Sequence, residues 1–269
     1  MTLRNKFMPA MLMLGVVAFS SCEKQENESI QPTLERKGVI THIMADSAEV
    51  TSYNFAGSNL SQINHYDVES GELESFEKYE RDQKGRILKS SSYAAGTKSL
   101  LSEQTFTYST SGELKKSTMA YYNGSKLEYT AYATYDYDAN NKLEKKSVFE
   151  GKEGEGEGKL KSYTTYEVLP NGNYAQEKQY VIDDNKEAKL FSTTTNSYDG
   201  NVNPFHNLTE PGTASSPNNL TASTTVVHNS KKTYKYSYTY TYDERGYPQT
   251  QTVTSPSGKR VTYQYLYSH

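Results

Sequence analysis

The sequence predicts an all-β fold, built as a single antiparallel meander of repeated β-hairpins in a twisted or curled sheet. Short runs of alternating polar and apolar residues follow one another from Lys37 onward, and such alternation is typical of strands with one buried face. Glycine or asparagine turns separate the runs, mostly about 11 to 16 residues apart. That interval holds one strand and a tight turn, so we expect roughly 14–16 strands, each paired with the next.

The first residues predict a secretory signal peptide over residues 1–21. Arg4 and Lys6 precede an apolar run from Phe7 to Phe19, which is the charge and hydropathy pattern of an export signal. The run is too short for a membrane-spanning helix, which needs about 20 apolar residues. We therefore expect this segment to direct export and then to be removed.

The apolar run ends in small residues directly before Cys22, the single cysteine of the sequence. The stretch "AFSSC" resembles the lipobox of bacterial lipoproteins, although Phe19 stands where leucine is commoner. The resemblance implies a lipid on Cys22 and attachment to the outer membrane. Residues 22–36 show no periodicity and are interpreted as a flexible tether. Their acidic and polar start resembles the surface-export signals of Bacteroidota lipoproteins, which implies display at the cell surface.

The charge balance limits the classes of partner. Without Arg4 and Lys6, 27 basic residues remain of the 29 in the whole chain, against 32 acidic ones, a net charge of −5. An acidic chain offers no electrostatic footprint for nucleic acid, so we expect no nucleic-acid partner. Contact with the membrane is expected through the lipid anchor alone.

The turns are alike in sequence, which indicates an internal repeat. "YDVESGEL" begins at Tyr66, "YSTSGEL" at Tyr108 and "YDERGYP" at Tyr242. Each has an aromatic residue, a short polar turn closing on glycine, and usually an aliphatic or aromatic residue after it. Corresponding turn residues lie about 27 to 31 positions apart, at Gly85, Gly112, Asn141 and Gly172. The larger unit is therefore expected to be a pair of strands.

This "YDxxGxL" pattern resembles the YD repeats of RHS proteins over most of residues 51–267, and 37–269 is interpreted as one YD-like β-repeat domain. "SYDGNVNPFHNL" from Ser197, followed by "SPNNLTAST" from Ser216, also resembles a segment of uncharacterised Bacteroidota lipoproteins with YD-like repeats. The resemblance implies the fold and brings no assigned activity. The short array, with His269 directly after a strand, predicts no enclosed toxin of the kind many RHS proteins carry.

The most regular strand places five tyrosines on one face, and two interpretations of that face stay open. The rings could form the core of a thin sheet, or they could be an exposed ladder that stacks on sugars or holds a partner protein. The irregular connection from Phe205 to Asn219 is the second candidate surface, because long loops on a rigid sheet often bind ligands. The candidate binding residues are Tyr234, Tyr236, Tyr238, Tyr240, Tyr242, Phe205 and His206.

No local motif predicts catalysis, a metal or a cofactor. The five histidines are far apart, the glycine-rich tract from Glu150 to Lys159 lacks the phosphate-loop spacing, and Asp183 with Asp184 is interpreted as a turn. Asp46, Ser47 and Ala48 resemble the O-glycosylation sequon of Bacteroidota, with Ser47 as the acceptor. No enzyme activity is expected, although carboxylates from separate strands could still meet in space.

The sequence thus predicts a noncatalytic lipoprotein of the outer membrane or cell surface that binds or scaffolds a protein or glycan partner. The alternative is a glycan-binding module associated with polysaccharide uptake. A glycan-active enzyme is the third hypothesis. Solvent exposure of the tyrosine face is the observation that distinguishes the core interpretation from the binding interpretation.

Overall fold

The computed structural model describes residues 38–151 and 158–268, which form sixteen antiparallel strands in a closed barrel. Each strand pairs with the next along the chain, and β16 pairs with β1. The predicted signal peptide, Cys22 and the predicted tether lie outside the described residues. Within the described ranges, no helix is long and apolar enough to cross a bilayer. The strands are β1 (Ile40–Ala45), β2 (Ala48–Ala56), β3 (Asn59–Tyr66), β4 (Leu73–Arg81), β5 (Ile87–Ala94), β6 (Leu100–Tyr108), β7 (Leu114–Asn123), β8 (Lys126–Tyr137), β9 (Leu143–Glu150), β10 (Lys159–Val168), β11 (Tyr174–Ile182), β12 (Ala188–Val202), β13 (Asn218–Val227), β14 (Lys232–Tyr242), β15 (Pro248–Thr254) and β16 (Arg260–Tyr267).

The predicted all-β antiparallel meander is confirmed, and the strand number lies at the top of the expected range. The expected twisted or curled sheet is in fact a closed barrel, because the first and last strands pair and close the wall. Ile43 lies opposite Tyr265, and Ala45 lies opposite Tyr263. Closure gives the two terminal strands partners for their main-chain groups, which an open sheet leaves as reactive edges.

The two ends of the barrel differ. Turns after even-numbered strands lie at one end, together with the 203–217 segment that joins β12 to β13, here called the plug. The described chain also begins and finishes at this plug end, where the Gly38 amide donates to the Ser268 carbonyl over 3.0 Å. Turns after odd-numbered strands lie at the opposite end, here called the far end.

The aspartate turns at Asp82, Asp138 and Asp243 lie at the plug end and the one at Asp183 lies at the far end, and in each the aspartate holds the turn backbone. Asp82 Oδ1 accepts hydrogen bonds from the amides of Lys84 and Arg86, each over 2.9 Å. Gly85 follows with a φ of 81°, in the left-handed region that favours glycine. The corresponding turns at Asp138, Asp183 and Asp243 repeat these two bonds. Asp183 and Asp184 therefore form a turn, as the sequence predicts.

The tyrosines that end or nearly end several strands connect neighbouring hairpins. Tyr108 donates its hydroxyl hydrogen bond to the Ile87 carbonyl over 2.6 Å, and Tyr267 donates to the Pro248 carbonyl over 2.7 Å. In each pair, the tyrosine binds a residue about 20 positions earlier, at the start of the strand before its own. These repeat tyrosines are therefore architectural.

The turn aspartates predict a loss of stability in acid. Burial opposes ionisation of Asp82 and Asp243, but the turn hydrogen bonds outweigh it, and the pKa of each carboxyl is below its usual 3.8. Their stabilising contribution is therefore present above that value and is lost as the pH falls through the lowered pKa. The melting temperature should therefore drop as the pH falls below about 4, the usual aspartate pKa. Asp243→Asn should flatten this drop, and an unchanged profile in the variant would contradict the assignment.

Candidate functional site

The plug folds into the plug end of the barrel. The Phe205 ring lies 6.1 Å from the Tyr53 ring and 5.6 Å edge-on from the Tyr265 ring, centroid to centroid. Gly212 passes against Tyr135 and Leu114 so closely that a side chain there would overlap both. Phe205, predicted as a binding residue, therefore packs the plug against the inner wall.

Asparagines of the distinctive "NPF…NN" segment frame the base of the plug. The Asn203 side chain donates to the Ser216 carbonyl over 2.8 Å, and the side chain of Asn173 donates to Asn218 over 2.9 Å. The Ser216 hydroxyl oxygen accepts a hydrogen bond from the Tyr174 amide over 3.0 Å. Amide side chains both donate and accept, so they can satisfy the main-chain groups of an irregular segment away from water. These contacts give the segment a structural explanation.

The tyrosine ladder of β14 faces the lumen, and its rings differ in solvent exposure. Strand register places Tyr236 opposite Ser223 and Tyr238 opposite Val253 on the inner face. At the far end Tyr234 is 40% exposed, whereas Tyr238, nearer the plug, is 9% exposed. The core interpretation therefore applies to the inner rings, and the binding interpretation remains open for Tyr234.

The last two rings of the ladder have structural partners at the plug end. Tyr240 donates its hydroxyl hydrogen bond to the Leu220 carbonyl over 2.8 Å, and Tyr242 donates to the Asp199 carboxylate. Burial, followed by the hydrogen bond to Asp199, raises the pKa of Tyr242 to about 12. Both hydroxyls are therefore protonated donors at neutral pH.

Half-exposed aromatic rings line the lumen at the far end. Tyr121 of β7 and Tyr129 of β8 are opposite each other, with ring centroids 6.2 Å apart. They stand on the same face as the fully buried Ser117 and Ala133, yet they are 41% and 43% exposed. Sixteen strands are enough to leave an aqueous channel that side chains do not fill. Together with Tyr234, these rings form what is here called the tyrosine mouth.

Charged groups line the middle of the lumen and are mostly acidic. His65 lies 3.5 Å from the Glu77 carboxylate, and Tyr79 donates to that carboxylate over 2.6 Å. Burial alone would raise the pKa of Glu77, but hydrogen bonds from His65 and Tyr79 outweigh it and the pKa is lowered. Burial raises the pKa of Glu177 and of Glu210, the acid that the plug contributes.

Lys146 accompanies these acids in the middle of the inner wall. Burial lowers the pKa of Lys146, and the charge of Glu210 partly opposes that effect. Glu77 and Glu210 interact electrostatically, as do Glu210 and Lys146. With three carboxyl groups around one ammonium group, the lumen disfavours anionic ligands.

A separate cavity of about 420 Å³ lies at the plug end, between the turns and the outer side of the plug. Arg81, Arg86, Lys142 and His206 line it. Burial, then the charge of Lys142, lowers the pKa of His206, which favours the neutral imidazole. His206 thus lines a cavity, as a candidate binding residue should, but at the end opposite the tyrosine mouth.

The remaining predicted positions are separate from both sites. Ser47 is exposed in the turn between β1 and β2 at the far end, with a φ of 68°. O-glycosylation there stays a prediction. Cys22 lies outside the described residues. Within residues 38–151 and 158–268, no three histidine, cysteine, aspartate or glutamate side chains could hold a metal ion.

No protein-family model and no curated protein matches the sequence. Among solved structures, a porin-like protein from Bacteroides vulgatus is similar at 11% identity, with a TM-score of 0.50, covering 86% of this chain and 99% of that one. A porin-like protein from Bacteroides uniformis shares 16% identity with a TM-score of 0.49, covering 88% and 100% of the two chains. The Photorhabdus luminescens Tc holotoxin pore matches at 18% identity and a TM-score of 0.29, with 79% of this chain aligned to 9% of that one.

The fold places this chain in the class of closed antiparallel β-barrels built from repeated hairpins. Its similarity to the Bacteroides vulgatus protein covers nearly the whole described barrel and supports the fold alone. The far-end mouth and the plug-end cavity are features of this chain's own residues.

Proposed function

We propose that this chain is an exported, noncatalytic binding module, anchored to the outer membrane through Cys22, whose ligand enters the barrel at the tyrosine mouth. The observation that carries the proposal is that Tyr121, Tyr129 and Tyr234 face the lumen and keep about 40% of their surface exposed. Aromatic rings held on a rigid wall and open to water are suited to stacking on a ligand.

The outer wall supports anchoring rather than insertion in lipid. Strand alternation turns Lys78, Glu103 and Lys178 outward, at the middle of β4, β6 and β11. Lys89 forms outward ion pairs with Glu80 over 2.6 Å and with Glu103 over 3.5 Å. A lysine facing lipid at the bilayer midplane costs about 2–4 kcal/mol. A wall with several such charges favours water.

The position of the anchor supports a mouth directed away from the membrane. The described chain begins at Gly38 at the plug end, so Cys22 connects to that end. Residues 22–36 reach at most about 3.3–3.6 Å each when extended. Because the tether holds the plug end near the membrane, the tyrosine mouth at the opposite end is the one that a ligand in solution can reach.

A neutral glycan is the ligand class that the inner wall favours. Gln104, Gln179 and Gln251 face inward, as do serines and threonines of the neighbouring strands. Amide side chains donate and accept hydrogen bonds, as sugar hydroxyls do, and tyrosine rings stack on sugar faces. A glycan-binding role beside polysaccharide uptake fits this lining better than an anionic partner does.

The test replaces two tyrosines of the mouth with alanine and compares the loss of glycan affinity with that caused by replacing two tyrosines on the outer wall. Tyr121→Ala with Tyr129→Ala should weaken glycan affinity roughly tenfold, since each ring contributes about 0.5–1.5 kcal/mol. Tyr163 and Tyr180 stack on the outer wall with centroids 4.6 Å apart, so replacing both with alanine is the control. A glycan array identifies the ligand and calorimetry measures its affinity. Absence of glycan binding, or equal loss in both variants, would reject the lumen as the site.

The same experiment separates binding from catalysis. The pKa of Glu77 is lowered and the pKa of Glu210 is raised, so the two carboxyl groups differ from each other. Glycosidases use such a pair, one carboxylate as nucleophile or base and one carboxylic acid as proton donor. Under the proposal, a bound glycan is recovered intact. Hydrolysis that Glu210→Gln abolishes would replace the noncatalytic proposal with the enzyme hypothesis.

A further inference from the structure

Three cationic side chains converge on the plug-end cavity. Arg81 comes from the end of β4, Arg86 from the following turn and Lys142 from the turn between β8 and β9. The plug closes the other side of the cavity with residues 206–213 and Ser215. This site lies at the opposite end from the tyrosine mouth and does not depend on the function proposed for it.

Arg81 has a charge that no carboxylate neutralises among the described residues. Its guanidinium group donates to the Leu60 carbonyl over 3.0 and 3.3 Å and to the Gly85 carbonyl over 2.7 Å. A guanidinium group has five N–H donors, so two remain after these three bonds. The carbonyls fix its orientation without cancelling its charge, which leaves a preorganised donor pair at the cavity.

Lys142 supplies a second cation without an acidic partner in the described part of the chain. Its ammonium nitrogen stands 3.3 Å from the position that a Cβ on Gly172 would take. The turn at Gly172 requires a positive φ, here 88°, and the missing side chain gives Lys142 its place. The charge of Lys142 also acts on His206 across the cavity and contributes to lowering the pKa of that imidazole.

Arg86 adds a third cation, and an ion pair with an aspartate neutralises its charge. Its guanidinium group forms an ion pair with Asp82 over 2.7 Å and lies 4.6 Å from the centre of the Tyr108 ring. Glu210 also lines the cavity, and its carboxyl group hydrogen bonds to Ser90. Even with Glu210 ionised, the two cations without an ion pair, Arg81 and Lys142, leave the cavity with a net positive charge.

We propose that this cavity binds the oxyanion of a small molecule, a phosphate or a carboxylate. Arginine presents paired N–H groups that match two oxygens of such an anion, and lysine adds a compact charge. A volume of about 420 Å³ lies within the usual range of ligand pockets, so the anion has room for an attached group. The chemistry is shared by free phosphates, lipid headgroups and acidic sugars.

Calorimetry on the purified protein tests this assignment with inorganic phosphate, glycerol phosphate and glucuronate, and with glucose as the neutral comparator. At least one of the three anions should bind, and its affinity should weaken as ionic strength rises. Lys142→Gln should weaken binding about tenfold, since it removes one charge-assisted contact. Lys115→Gln is the control, because Lys115 is an exposed lysine paired with Glu113.

The pattern of binding distinguishes the sources. Preference for glycerol phosphate indicates a headgroup or phosphorylated solute, preference for inorganic phosphate indicates the free ion, and preference for glucuronate indicates an acidic sugar; each supports the site. Arg81→Gln repeats the test if circular dichroism shows the native fold. No binding of any anion, equal binding of glucose, or equal loss in Lys142→Gln and Lys115→Gln overturns the proposal.

Discussion

Gly212→Ala should lower the free energy of unfolding by about 2–4 kcal/mol and release the plug to proteolysis. Two effects add at this position. Gly212 has a φ of 77°, where any L side chain is strained, and the new methyl group would overlap the Tyr135 ring and stand 2.9 Å from Leu114 Cδ2. Neither neighbour can withdraw easily, because Tyr135 and Leu114 are both buried.

Gly57→Ala is the matched control for this expectation. Gly57 also has a positive φ, 61°, but no atom stands within 4 Å of the position that a Cβ would take there. Backbone strain alone should cost about 1 kcal/mol at this residue. Denaturant unfolding compares the two variants, and limited proteolysis followed by mass measurement locates cleavage in 203–217. Equal destabilisation by the two changes would show that the plug does not depend on close contact at Gly212.

The repeat was readable from the sequence because its signals are local. Asp243 and Gly246 determine their turn through bonds within five residues, and alternation alone assigns Tyr234 and Tyr238 to the same face. Closure of the sheet into a barrel could not be predicted from the sequence. It depends on β1 pairing with β16 across nearly the whole chain, and on strand tilt and register that no short window contains.

The candidate sites show the same difference between local signals, which the sequence reveals, and long-range contacts, which it does not. Tyr121 and Tyr129 lie on either side of Gly124 in "YYNGSKLEY", so pairing of the two strands that flank this glycine could have placed them opposite each other. Arg81 and Lys142 come from different hairpins and meet only because the wall curves. His206 was predicted from its place in a long loop, and the loop does line a cavity, although nothing local indicated which end of the barrel it would close.

Cys22→Ala should move the protein almost completely from the membrane fraction to the soluble fraction. Attached acyl chains contribute about 0.8 kcal/mol for each buried methylene, so two or more chains hold a protein stably on a bilayer. Outward charges such as Lys78 and Lys178 make the barrel wall a poor substitute for that anchor. Fractionation with immunodetection measures the distribution, and intact mass identifies the lipid on the unsubstituted chain.

Ser47→Ala is the control, since it changes an exposed residue of the same exported chain and should leave the protein on the membrane. Its mass also tests whether Ser47 carries a sugar. If Cys22→Ala protein stayed in the membrane after a carbonate wash, the wall itself would have to lie in lipid. Barrels embedded in lipid turn apolar side chains outward, whereas β14 turns Tyr236 and Tyr238 inward and Lys235 outward. Sixteen strands can form a barrel that is embedded in lipid or one that lies in water. The polar outer wall is the physical reason to expect that Cys22→Ala protein leaves the membrane.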